Sequence, residues 1–415
     1  MLRRTVLTFT TRFGTALLSF GVVLLTARGL GAAGRGRVSL MVTDVALLLL
    51  FIGLLGGSSL IYLAPRRNVW RLLVPAITWA VVVCALGAAV VAMLRPASPY
   101  GYAWHVGGVA LVQALFSISA SLLLGRRREG LFNILNLMQA ALLTASLAVA
   151  FFGFGFQQIE AFYLANYLAS GTVLVVAASA LARQPDPRLL TRRALRRVAY
   201  ELARHSRGAH LSSILVFLTY RLSYYFLAAW TGPGAVGVLS VGVALTEAFW
   251  LLGRSAAQTQ YLDLVNASDR TARLPYLLRA ARLTGFLTGT GLAILLAVPA
   301  SVLAFVFGAD FGAARPVIVW LAPGVFAMSI GMLLSTWFAG IGQYAPNNRA
   351  TAAGLLVAAV ACILLIPRFG VQGAAAATSL AYLTVASVLL WQFRRATGYG
   401  VRALLPRLTD HHPIG

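Results

Sequence analysis

The 415-residue sequence contains no lysine; its 34 basic residues are all arginine. Acids are scarce too, ten in all, which leaves a net charge of +24. Charged residues make up only 11% of the chain, less than half the roughly 25% of soluble domains. Cysteine is limited to Cys84 and Cys362. Both fall inside apolar runs without a CxxC neighbour, so they read as packing residues and not as a disulfide frame. Five scattered histidines show no ligand spacing, and no metal or other cofactor is expected. Also missing are a nucleophile–base set and a phosphate-cradling glycine loop, and no connection on the outer side is long enough to build a catalytic domain. These gaps argue against an enzyme.

What is abundant is apolar surface: 60% of residues are hydrophobic and the mean hydropathy is +0.82. Apolar runs near the length of a bilayer span recur along the whole chain. They are continuous and do not alternate with period two, which favours helices over a barrel. The expected fold class is all-α, a polytopic membrane protein. Approximate spans are 6–27, 38–63, 72–94, 103–124, 131–152, 160–181, 209–230, 235–258, 282–307, 316–341, 350–366 and 372–392. The first reads as an uncleaved span and not as a signal peptide, because Arg12 interrupts it and no small-residue cleavage site follows.

Arginine placement orients these spans. With the N-terminus in the cytoplasm, 25 arginines fall on the cytoplasmic side, among them Arg66, Arg67, Arg71, Arg126 to Arg128 and eight from Arg183 to Arg207. Six fall outside: Arg28, Arg35, Arg37, Arg95, Arg315 and Arg368. Both termini are therefore expected in the cytoplasm. Arginine in short loops between apolar spans suits anionic membrane lipids and phosphates, and not nucleic acid.

The chain divides into 1–182, an N-terminal six-helix lobe; 183–208, a cytoplasmic linker; 209–393, a C-terminal six-helix lobe; and 394–415, a cytoplasmic tail. In the linker Leu190, Ala194, Leu195, Val198, Ala199 and Leu202 recur at helical spacing, with Arg192, Arg193, Arg196 and Arg197 on the other side. This predicts an amphipathic helix on the membrane surface. The halves resemble each other. Gly31, Gly36 and Ser39 recur as Gly232, Gly237 and Ser240. Phe154, Gly155, Gln157, Tyr167 and Leu168 recur as Phe369, Gly370, Gln372, Tyr382 and Leu383, and Asn133 falls on Asn348. Two six-span repeats of the same membrane orientation suit a transporter that places substrate between lobes and rocks them.

Charges inside a bilayer are costly and default to a functional reading. Arg12, Arg221, Glu247, Arg254 and Asp44 all lie within spans. In one scheme Arg221, Arg254 and Arg12, joined by Arg28 at the outer end of the first span, present guanidinium forks to a diphosphate. Glu247 and Asp44 then hold a coupling proton or cation, or serve as charge partners. Gln113, Asn136, Gln139, Asn166 and Gln258 offer hydrogen bonds to a sugar, and Trp250 and Trp337 offer ring faces. In the competing scheme Arg221 and Glu247 form a structural pair, while Arg12 and Arg254 reach the cytoplasmic interface. Pro75, Pro299, Pro323 and Gly331 mark bends or close packing, with Pro323 a candidate hinge.

Four stretches carry a family resemblance: Thr26-Ala27-Arg28-Gly29-Leu30-Gly31 with Gly34-Arg35-Gly36; Tyr220-Arg221-Leu222 followed by Val236 to Ser240 and Glu247; Phe307-Gly308-Ala309-Asp310-Phe311; and Leu365 to Ala375 after Asn347-Asn348. In this order they resemble the polysaccharide (Wzx-type) flippases of the multidrug/oligosaccharidyl-lipid/polysaccharide exporter superfamily. The resemblance implies two lobes around a V-shaped cavity. It implies alternating-access transfer of undecaprenyl-diphosphate-linked oligosaccharide to the outer leaflet of a bacterial plasma membrane, for polysaccharide biosynthesis. Implied partners are the lipid-linked oligosaccharide, a coupling proton or sodium ion, and glycan polymerase or ligase machinery. Ser223 stands where the family often has Asp, which leaves Glu247 as the nearer partner of Arg221. A drug/cation antiporter of the same superfamily, a peptidoglycan-precursor flippase and a scaffold in a glycan assembly complex remain as alternatives. The antiporter would favour acidic cavity residues, and the peptidoglycan branch usually has fourteen spans.

Overall fold

The computed structural model describes residues 2–95, 101–187, 191–250 and 273–400, apart from the side chains of residues 2–10, 12, 207–209, 211 and 273. Among the described residues every regular element is helical: α1 (Leu2–Gly56), α2 (Ser58–Leu63), α3 (Val69–Leu94), α4 (Tyr102–Gly125), α5 (Glu129–Ala148), α6 (Ile159–Ala182), α7 (Arg192–Trp230), α8 (Pro233–Glu247), α9 (Arg273–Ala297), α10 (Ala300–Phe307), α11 (Ala314–Gly340) and α12 (Ala345–Thr397). A π turn extends α5 through Gly153, and a 3-10 turn, Ala309–Ala313, precedes α11. Lipid offers peptide groups no hydrogen bonds, so each span satisfies its own backbone. Span hydroxyls follow the same rule: Thr26, Thr43, Ser119, Thr172, Thr246, Thr336 and Thr384 each donate to a carbonyl one turn back.

Nine helices among the described residues are long and apolar enough to cross a membrane. Two of the nine are far too long for one crossing, at 51 and 53 residues; a helix of that length extends about 75 Å against a hydrocarbon core of about 30 Å. Each is broken by a glycine at positive φ, Gly31 (φ 64°) in α1 and Gly370 (φ 52°) in α12. At the second break the chain folds back on itself. A Cβ on Gly373 would strike the carbonyl of Leu365, eight residues earlier, where a straight helix would hold the two roughly 12 Å apart. Dividing these two helices raises nine to eleven among the described residues, and the short apolar α8, Pro233–Glu247, lies where the eighth span is expected.

The internal repeat has a backbone counterpart. Gly31 and its match Gly232 are both at positive φ, 64° and 95°. So are Gly155 and its match Gly370, at 63° and 52°. These are conformations in which a Cβ is strained, so the paired glycines mark equivalent turns in the two halves.

Two compact units emerge. The first comprises 1–30 and 37–214; the second comprises 31–36 and 215–415. In the first, buried residues of α1 to α6 form one apolar cluster. Asn68 starts α3 by accepting from the N–H groups of Trp70 and Arg71, while Asp186 accepts from Val69 N–H at 2.8 Å and pairs with Arg126. In the second, α11 packs along α12, α8 and α9. The short segment 31–36 belongs there: a Cβ on Gly36 would strike the Pro233 carbonyl, and one on Gly237 the Ala32 carbonyl.

Three sequence expectations change. The linker helix and seventh span form a single helix, α7, and the compact units divide inside it between Ile214 and Leu215. The apolar side of the linker, Val198 and Leu202, joins the first unit's core instead of lying in lipid. Pro299 is the N-cap of α10, just after α9 ends at Ala297, whereas Pro323 sits within the continuous α11, where the following Gly324 N–H donates to Ser379 Oγ at 2.9 Å. A side chain at the tight return near Gly370 should therefore be costly. Gly373→Val is expected to lower stability by ~2 kcal/mol through overpacking, read as a lower midpoint of thermal unfolding in detergent. Gly53→Ala, where nothing lies within 4 Å of the added carbon, should leave that midpoint unchanged or raise it.

Candidate functional site

The second unit holds the deepest charges predicted from the sequence. Arg221 projects from the membrane-crossing part of α7 and Glu247 from the last residue of α8. Arg221 Nη1 and Nη2 donate to Glu247 Oε1 and Oε2 at 3.2 and 2.9 Å. Tyr382, beyond the α12 break, donates its hydroxyl to Glu247 Oε1 at 2.8 Å. Arg221 Nη1 also reaches the Tyr220 carbonyl at 3.4 Å. A guanidinium carries five N–H groups, so the Nε–H and one Nη2–H remain. The Arg221 side chain is 27% exposed, and among the described residues no hydrogen bond occupies that second fork. Glu247 thus occupies one bidentate edge of Arg221, and the Nε/Nη2 edge has the geometry that carboxylate and phosphate oxygens match.

Aromatic side chains back this triad. Tyr220, Trp250 and Tyr382 meet with ring centroids 5.1 to 5.4 Å apart, and Tyr224 lies 5.4 Å from the Arg221 guanidinium carbon. Trp250 is only 2% exposed, and its Nε1–H donates to the Val325 carbonyl at 3.2 Å. Trp337 is likewise buried, against Phe338 and Phe393. Neither tryptophan presents the free face that sugar stacking needs, because both rings are spent on packing. Ser223, at the position of the family's Asp, accepts a hydrogen bond from Thr378 at 2.9 Å. Arg35, buried and on the segment that joins this unit, donates to Ser240 Oγ at 3.2 Å.

The first unit contains a second triad of the same composition. Arg95 Nη1 and Nη2 donate to Asp44 at 2.9 and 3.3 Å, and Tyr102 donates to Asp44 Oδ2 at 2.8 Å. Asp44 is therefore a charge partner. Of the candidate sugar contacts, Gln113 donates to Asn166 Oδ1 at 3.1 Å, and the two line a small, otherwise apolar pocket. Gln139 donates to Ser170, and Asn136 is turned back on the Phe132 carbonyl. Arg28 is exposed. Arg254 and Gln258 lie outside the described residues, as does the side chain of Arg12. The sequence reading did not name Arg95, Tyr102 or Tyr382 as partners of these carboxylates; Tyr382 left a trace as the repeat partner of Tyr167.

No family model and no curated protein matches the sequence. Solved structures do. A structure of the lipid II flippase MurJ, in an inward closed conformation, aligns over 97% of this chain and 89% of its own at 12% identity, with a TM-score of 0.75. An inward-facing multidrug resistance MATE family transporter of the MOP superfamily covers 92% and 95% at 14% identity, TM-score 0.66. A MATE transporter from Vibrio cholerae covers 96% and 97% at 16% identity, TM-score 0.60. The chain has the fold these transporters share. That supports an all-helical, multi-pass membrane architecture; it does not single out the polysaccharide branch.

The triad makes a testable energetic demand. Removing one partner of a buried pair leaves the other uncompensated, at about 3 kcal/mol or more when fully enclosed. Since Arg221 is partly exposed, Arg221→Met should cost roughly 2–3 kcal/mol in detergent unfolding. Arg221→Met/Glu247→Leu should recover most of that loss. A double variant whose loss equals the sum of the Arg221→Met and Glu247→Leu single losses would mean that the pair is not coupled.

Proposed function

We propose that the chain is a flippase for a diphosphate-linked glycolipid, with undecaprenyl-diphosphate-linked oligosaccharide as the substrate class. The observation that carries this reading is Arg221, held by Glu247 and Tyr382 on one edge and open on the other, in a fold shared with a lipid flippase. A diphosphate is recognised by that open fork, while the lipid tail stays in the bilayer. The two halves work by alternating access, and the substrate moves from the cytoplasmic to the outer leaflet of the plasma membrane with both termini cytoplasmic. Glu247 shares the guanidinium with the substrate, so a proton on Glu247 frees a second edge of Arg221 for phosphate. This is the reading's route to ion coupling. No chemical step on the substrate is involved.

The drug/cation antiporter is the weaker alternative. A cationic substrate needs an open carboxylate inside the spans, and both Asp44 and Glu247 are already neutralised by arginine. The peptidoglycan-precursor flippase differs from the main reading only in the sugar, and the same assay separates the two by substrate.

In proteoliposomes loaded with fluorescent undecaprenyl-diphosphate oligosaccharide, the protein should bring the glycan to the far leaflet. Arg221→Ala should cut that rate at least tenfold, with Arg221→Lys intermediate. A scaffold of a glycan assembly complex would give no protein-dependent transfer and would tolerate Arg221→Ala with glycan export intact in cells.

A further inference from the structure

The amphipathic start of α7 carries a charge pattern that the proposed transport site does not use. Its apolar side is not available to lipid, because Val198 and Leu202, 5% and 0% exposed, are part of the first unit's core. Polar contacts lock this docking. Arg67 donates to Glu201 through Nε and Nη2 at 3.1 and 3.0 Å, and His205 stacks on Tyr62 at 5.2 Å. Arg67 lies two residues before α3 enters its span at Val69, and Tyr62 lies at the end of α2. Glu201 and His205 are therefore pinned beside the ends of membrane spans, where the head groups of a bilayer begin.

With its apolar side spent on protein, the helix turns a basic side outward. Arg192, Arg193, Arg196, Arg197 and Tyr200 line an open cleft of about 550 Å³. Residues 192, 196 and 200 form one row at helical spacing, and 193 and 197 the next. Glu201 reaches Arg197 at 3.3 Å. Arg192, Arg193 and Arg196 have no acidic partner among the described residues. Four guanidinium groups within two turns repel one another unless an anion lies among them. Tyr200 is 66% exposed, with the amphipathic ring typical of membrane–water interfaces.

We propose that this cleft binds the phosphate head group of an anionic phospholipid of the cytoplasmic leaflet, with guanidinium forks on the phosphate oxygens and Tyr200 at the glycerol level. Adjacency favours lipid over a soluble anion, since Glu201, next to Tyr200 on the same helix, is fastened beside the end of a membrane span. The contact is electrostatic and bidentate, not the apolar insertion that an amphipathic sequence suggests by itself. Whatever the transporter carries, this site takes a resident lipid.

The test titrates the detergent-purified full chain with phosphatidylglycerol or phosphatidylcholine and counts retained lipid by native mass spectrometry. Each surface guanidinium is worth about fivefold in affinity near an anionic interface. The Arg192→Gln/Arg193→Gln/Arg196→Gln variant should therefore lose roughly a hundredfold in phosphatidylglycerol retention. The matching triple lysine variant should keep most of it, and phosphatidylcholine should bind weakly to all three. The Arg67–Glu201 tie is untouched, and an unchanged elution profile and helicity would show that the glutamine variant is folded. Equal phosphatidylglycerol retention by wild type and the glutamine variant overturns the proposal. So does a cleft that takes inorganic pyrophosphate in lipid-free micelles but does not yield it to phosphatidylglycerol. A failed flipping assay leaves this outcome unaffected.

Discussion

A peptide group inside a bilayer has no water to turn to, and everything in this chain follows from that shortage. Spans must be helical along their length, so reversals have to occur where the helix can be broken cheaply. Glycines at positive φ provide the breaks at 31, 155, 232 and 370. The same shortage governs the side chains. Span hydroxyls turn back on their own helix, and the carboxylates of Asp44 and Glu247 each receive an arginine fork and a tyrosine hydroxyl. A carboxylate satisfied in this way can sit among apolar helices without leaving an orphaned charge.

The two triads share an arginine, a carboxylate and a tyrosine but differ in where their members come from. Arg95 sits at the carboxyl end of α3 beside Tyr102 at the start of α4, so it fastens consecutive helices at one membrane edge. Arg221, Glu247 and Tyr382 come from three helices spread over more than 160 residues of sequence. Arg221 lies at mid-span, with part of its side chain uncovered. The first arrangement accounts for itself as a fastening. The depth of the second makes it the candidate for ligand chemistry.

Much of the architecture was legible because the length and continuity of the apolar spans are written locally, residue by residue. The repeat was legible for a different reason: the paired glycines stand at turns where the backbone tolerates little else. The Arg221–Glu247 pairing could be weighed from depth and proximity along adjacent spans. Tyr382 could not, since nothing in the local pattern of α12 says which neighbour its hydroxyl meets. Trp250 and Trp337 misled for the same reason: an aromatic residue in a span looks identical whether its face is free or packed. The linker's periodicity correctly announced an apolar side, but not whether lipid or protein would cover it.

Storing the reversals in backbone torsions rather than in contacts has an evolutionary corollary. A turn that depends on a missing Cβ places no demand on the identity of its neighbours, so the surrounding helices can drift freely as long as they stay apolar. Fixed corners with interchangeable walls leave room for one fold to be built from sequences that agree at only 12% to 16% of positions.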